Sequence, residues 1–159
     1  MNGTLAGRGM ALVALAAVLL SGCEQPPSDP VRNGAGDVVG AGQADWGRLE
    51  VGDCVVDDLT GSGSLASKAS VTPCPSGQAR AQLIATSSAK SWSATRPADT
   101  SDDGLKKWCQ TAFQTFLGIT PNKSQYGMNL VSPQGESDSV QCFVVSTDAF
   151  TGTLQNVKK

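Results

Sequence analysis

Residues 101–118, Ser101-Asp102-Asp103-Gly104-Leu105-Lys106-Lys107-Trp108-Cys109-Gln110-Thr111-Ala112-Phe113-Gln114-Thr115-Phe116-Leu117-Gly118, decide the fold class. Leu105, Trp108, Cys109, Ala112 and Phe116 recur at i, i+3, i+4, i+7 and i+11, and Phe113 and Leu117 widen the same stripe. That period belongs to one face of an α-helix packed on a core. Ser101, Asp102 and Asp103 supply an N-cap and complement the helix dipole, and Gly118 with Pro121 beyond it supplies the stop. The spacing predicts one main helix over 102–117.

On both sides of this helix the pattern changes to short strand-like runs. Residues 49–56 predict a strand broken by a turn at Gly52-Asp53, and Ala69–Thr72 predicts a short strand that ends at Pro73-Cys74-Pro75. Residues 78–85 alternate, with Ala79, Ala81, Leu83 and Ala85 on one side, as a half-buried strand would. Beyond the helix, strands are predicted near 126–131 and 140–146, and 151–157 is a candidate last edge strand. The predicted fold class is α+β: a small domain with a mostly antiparallel sheet and one main helix.

The chain begins with an export pattern. Arg8 is the only charge among the first 23 residues, and the run from Met10 to Leu20 is 11 apolar residues long. A bilayer span takes about 20, so this run reads as a signal peptide rather than an anchor helix. Leu20-Ser21-Gly22-Cys23 follows at once and looks like a bacterial lipobox, which predicts cleavage after residue 22 and acylation of Cys23. A diacylglycerol with two chains holds a protein on a membrane stably where one chain is marginal. The organisation expected is a signal peptide over 1–22, a lipidated cysteine and Pro/Gly-rich tether over 23–47, and an extracytoplasmic domain over 48–159. Within the tether, residues 24–30 read as stiff and 33–36 as flexible, while 38–42 carry too much glycine for a core strand. Trp46 closes the segment, with packing on the domain edge or no role at all as the two readings.

Four further thiols follow, Cys54, Cys74, Cys109 and Cys142. An even number of cysteines in an exported chain reads as a disulfide framework. Three pairings are possible; Cys54–Cys74 with Cys109–Cys142 is favoured because each joins neighbouring elements. Each bridge would contribute about 3–4 kcal/mol on the chain-entropy account. A zinc site is the rival, but its thiolates come in close pairs, and here the separations are 20, 35 and 33 residues.

Composition removes several classes of function. Lys plus Arg is 12 and Asp plus Glu 14, for a formal charge of −2; loss of Arg8 with the signal leaves 11 against 14. That balance excludes a basic nucleic-acid binder. The sequence holds no histidine, which excludes Ser-His and Cys-His nucleophiles and imidazole metal sites. No metal and no cofactor is expected.

The order of Val51-Gly52-Asp53-Cys54, Val71-Thr72-Pro73-Cys74, Cys109-x3-Phe113-x2-Phe116-x-Gly118, Pro133, Cys142 and Gly152-Thr153-Leu154 resembles the septum-formation-related domain of surface proteins from high-GC Gram-positive bacteria. The resemblance covers about residues 49–155. It implies the fold and an association with the envelope or with division, and no reaction. The family's His and acidic residue, four and seven positions after the second cysteine, are replaced by Gln78 and Ala81. Its Trp and Arg before the last cysteine are missing from residues 135–139.

Candidate chemistry is sparse. Ser87-Ser88-Ala89-Lys90 fits S-x-x-K, but the companion motifs S-D-N and K-T-G are missing, so a polar loop is the better reading. Asp99 to Gly104 resembles half a calcium loop, yet Gln110 stands where a bidentate Glu is needed, and helix capping explains the acids. Gly61-Ser62-Gly63-Ser64 lacks the G-K-[ST] of a phosphate loop. Asp53, Asp57 and Asp58 are the candidate carboxylates of a hydrolase; the alternative is a turn for Asp53 and solvent for the other two. Of the aromatics, Trp108 belongs to the helix stripe, Tyr126 stands at the head of a strand, and Trp92, in the polar run 90–96, is the candidate partner contact. The function expected is a non-enzymatic, lipid-anchored surface domain at the extracytoplasmic face of the membrane, binding an envelope protein or glycan. The alternatives are an envelope hydrolase or a purely structural lipoprotein.

Overall fold

The computed structural model describes residues 28–61, 65–87, 101–132 and 139–158. They form two short paired strands, β1 (Val31–Arg32) and β2 (Val38–Gly40), and six strands of one sheet. The six are β3 (Gly42–Ala44), β4 (Cys54–Val55), β5 (Ala69–Thr72), β6 (Ala79–Thr86), β7 (Gly127–Val131) and β8 (Gln141–Phe150). Their order across the sheet is β3-β5-β4-β6-β8-β7, and every neighbouring pair is antiparallel. One helix, α1 (Asp102–Leu117), completes an α+β domain.

The helix forms where the apolar period places it. Ser101 accepts the Gly104 N–H at 3.2 Å, Asp102 and Asp103 occupy the first turn, and Gly118 ends the helix at φ +76°. That left-handed conformation costs glycine nothing and any side chain strain. Cys109, Phe113 and Leu117 are fully buried against Cys142, Val144 and Ile84 on one face of the sheet, with Trp108 half-buried beside them. The opposite face buries Val55, Ala69, Val71, Ala81, Leu83, Phe143 and Val145. Trp46, Leu49 and Leu59 cover that face, so β6 over 81–84 and β8 over 141–145 are buried on both sides.

Two disulfides staple the layers. Cys54–Cys74 joins β4 to the turn after β5, and Cys109–Cys142 joins α1 to β8, with Cα separations of 5.3 and 5.5 Å. Both separations lie in the range a disulfide spans without backbone movement. This is the pairing favoured in the sequence because each bridge joins neighbouring elements.

Four expectations need correcting. The span 23–47 is not a tether throughout: from Ser28 onward it is folded, and the domain boundary at 48 falls too late. β3 pairs with β5 in register Gly42↔Val71 to Ala44↔Ala69, and Trp46 is 5 % exposed. Backbone pairing supplies what the few apolar side chains of this segment do not, and Gly42 is needed because a side chain there would strike the backbone at Ser28–Pro30. Second, only Cys54–Val55 of the predicted 49–56 strand is in the ladder. Third, 151–157 is no edge strand. Its backbone caps the helix instead: Asn156 N–H donates to the Phe116 carbonyl at 2.8 Å and Lys158 N–H to Leu117 at 3.1 Å. These carbonyls belong to the last helical turn, which has no partners of its own. Fourth, β8 runs on to Phe150, opposite Ala79, rather than ending near 146.

Candidate functional site

Of the residues between β4 and β5, 56–61 and 65–68 are described, and Leu59 packs on the sheet face opposite the helix. Leu59 is 2 % exposed there, and the Asn129 side-chain amide on β7 donates to the Leu59 carbonyl at 2.5 Å. Asp57 accepts the Ser70 N–H at 2.7 Å, and the Trp46 indole N–H donates to the Ala66 carbonyl at 2.8 Å. Trp46 itself meets Phe143 edge-on, with ring centroids 6.1 Å apart. Gln141, fully buried beside them, donates to the Trp46 carbonyl at 2.6 Å. Tryptophan, two carbonyls and an asparagine thus fix this loop against β7.

Two open clefts flank the contact. One, of about 470 Å³, is lined by Trp46, Asp57, Asp58, Ala66, Asn129 and Val131. The other, of about 480 Å³, is lined by Thr60, Gln125, Gly127, Val145 and Thr147. They share Leu59, Gly61 and Asn129. Asp57 and Asp58 bring negative charge to the first cleft. Asp58 accepts the Thr60 hydroxyl at 2.6 Å and its N–H at 2.9 Å, and Arg80 stands 3.9 Å away. The Thr60 hydroxyl, followed by its N–H, holds the Asp58 carboxyl below the ordinary aspartate range.

Of the three candidate carboxylates, the structure brings Asp57 and Asp58 to the cleft and sends Asp53 elsewhere. Asp53 is 5 % exposed and locked to Arg32, with Nη1–Oδ1 at 2.8 Å and Nη2–Oδ2 at 2.6 Å. It also accepts the Glu50 N–H at 2.8 Å. The guanidinium pKa is raised in return, chiefly by its hydrogen bonds to Asp53. A glycosidase pair needs one carboxyl kept protonated at working pH. Asp58 is pushed the other way.

Ser87 is buried, exchanging hydrogen bonds with Val140, its N–H donating to the Val140 carbonyl at 2.8 Å and its hydroxyl accepting the Val140 N–H at 3.0 Å. Tyr126 is half-buried on the helix side of the sheet. Cys23, Lys90, Trp92 and Asp99 lie outside the described residues. Among the described residues no cluster of three or more His, Cys, Asp or Glu side chains could hold a metal ion, and no helix is long and apolar enough to cross a membrane.

Trp46 and Asn129 carry no motif that marks them as site residues. The one available signal was Trp46 itself, a large aromatic in an otherwise glycine-rich stretch. No protein-family model, curated protein or solved structure matches the chain.

Proposed function

We propose that the chain is a lipid-anchored surface protein of the extracytoplasmic face. Its disulfide-stapled domain binds an envelope protein or glycan through the clefts beside β7 and catalyses no reaction. The observation that carries this reading is the state of the cleft's acids. Asp57 is committed to Ser70 and Asp58 to Thr60, and Asp58 is biased toward the ionised form, which suits recognition of cations and amides rather than proton transfer. The lipobox ending at Cys23 and the two bridges support placing it outside the cytosol, where disulfides persist. Association with septum formation belongs to the same reading and rests on the motif order around the four cysteines. Trp92 is kept as a further contact residue.

The test is crosslinking on intact cells with identification of the captured partner, beside a Cys23→Ala control. The reading expects partners lost when Asp57 and Asp58 become Asn, and release of the Cys23→Ala protein from the membrane fraction. Conversion of a cell-wall glycan by the purified protein, abolished by those same substitutions, would replace binding with catalysis.

A further inference from the structure

We infer that the outer edge of β7 is a docking strand for an extended peptide of a partner protein that alternates Lys or Arg with apolar residues. This rests on the reading of the domain as a binding module and names the class of partner. The sheet has two edges, and they are treated differently. β3 is covered: Gln43 N–H donates to the Ser28 carbonyl at 2.9 Å, and Gly42 lies against the backbone of Ser28–Pro30. β7 is not: among the described residues no strand lies beyond it and no backbone group hydrogen-bonds to its free side. Exposed edges are normally blunted by Lys, Pro or a bulge. Gly127-Met128-Asn129-Leu130-Val131 contains neither residue, and its register to β8 is unbroken.

The surroundings specify what fits. A strand added to an edge continues the ladder with its backbone and points alternate side chains to the two faces of the sheet. On one face it meets the two clefts that abut at Asn129, with Asp57 and Asp58 in the first. On the other it meets the half-buried Tyr126, Met128 and Leu130 beside the helix. Cationic side chains therefore match one face and apolar ones the other. A second copy of β7 is a poor match, since Gly127–Val131 brings no cation to the acids.

The experiment pans a random nonapeptide library on the full lipidated chain in nanodiscs, then measures amide hydrogen exchange with the enriched peptides. Enriched peptides should alternate Lys or Arg with apolar residues and slow exchange within 127–131. N-methylation at alternate peptide positions should weaken binding by about tenfold or more, the loss of one or more main-chain hydrogen bonds. Asp58→Asn, at an exposed side chain, should weaken it less and remove much of its salt dependence, with the folded fraction checked by circular dichroism. Protection elsewhere, indifference to N-methylation, or no enrichment overturns the docking strand while leaving a binding domain standing. Protection of β7 that grows with protein concentration alone makes the occupant a second copy and also overturns it. Glycan turnover by the same preparation would instead strike the binding reading itself.

Discussion

Arg32 and Asp53, 21 residues apart, form a two-pronged ion pair at 2.8 and 2.6 Å, with the Asp53 side chain 4 % exposed. Arg32 also donates to the Gly36 carbonyl at 2.8 Å, so one guanidinium closes the β1–β2 hairpin and fastens it to the turn before β4. The described residues from Ser28 to Gly40 are thereby tied to the sheet. Between Cys23 and Ser28 lie four residues, and at about 3.5 Å per residue their reach is short. If Cys23 is acylated as proposed, the domain stands close to the bilayer.

Removing one partner of a buried pair strands the other charge. Arg32→Ala is expected to cost on the order of 3 kcal/mol in urea unfolding. Arg32→Met with Asp53→Leu should cost less than the single substitution, because no lone carboxylate is left buried. Equal losses in the two proteins would show that the pair contributes nothing beyond packing.

Gln82 is buried on the helix side of β6, where its amide N–H donates to the Gly52 carbonyl at 3.0 Å and its carbonyl accepts the Leu154 N–H at 2.9 Å. It ties the turn before β4 to the tail that caps α1. Gln82→Leu keeps the volume and leaves those groups unpaired, at a cost of about 1–3 kcal/mol. Hydrogen exchange should speed up first in residues 152–158; uniform acceleration across the sheet would contradict the local role.

The bridges can be checked directly. Peptide mass spectrometry without reduction should find Cys54 joined to Cys74 and Cys109 to Cys142. Replacing Cys109 and Cys142 together by Ser should lower stability by about 3–4 kcal/mol. Any cross-pairing of the four would contradict the fold.

Asp58 links stability to acidity. Its folded pKa is depressed by the Thr60 hydrogen bonds, so the ionised form favours the native state. That contribution is complete above the ordinary aspartate range and is lost as pH falls through the folded value. Asp58→Asn should therefore lower stability somewhat at neutral pH, leave it unchanged at pH below the folded value, and so flatten the acid limb between them. An unaltered acid limb would mean that the Thr60 contacts do not persist in solution.

How much of this was readable beforehand depends on the reach of each signal. The helix at 102–117, its Ser101 cap and its Gly118 stop are local, and the strand at 69–72 is bounded by proline; both are legible in a short window. The β1–β3 segment was not. Its stability comes from pairing with β5, from an ion pair spanning 21 residues and from one tryptophan, and none of these leaves a period in the sequence. The tail at 151–157 is no strand because its partners are the Cys74 carbonyl, the Gln82 side chain and the Phe116 carbonyl, and such scattered contacts leave no period in the sequence. The clefts draw on residues 46, 57–61, 65–66, 125, 127–132, 145 and 147, which only the sheet brings together.

Export with acylation is the step on which the functional account stands, and the intact mass of the protein extracted from its native membrane tests it most directly. The account predicts a chain beginning at Cys23, heavier by its acyl groups and lighter by four hydrogens for two bridges. A soluble chain that retains residues 1–22, with all five thiols free, would contradict it.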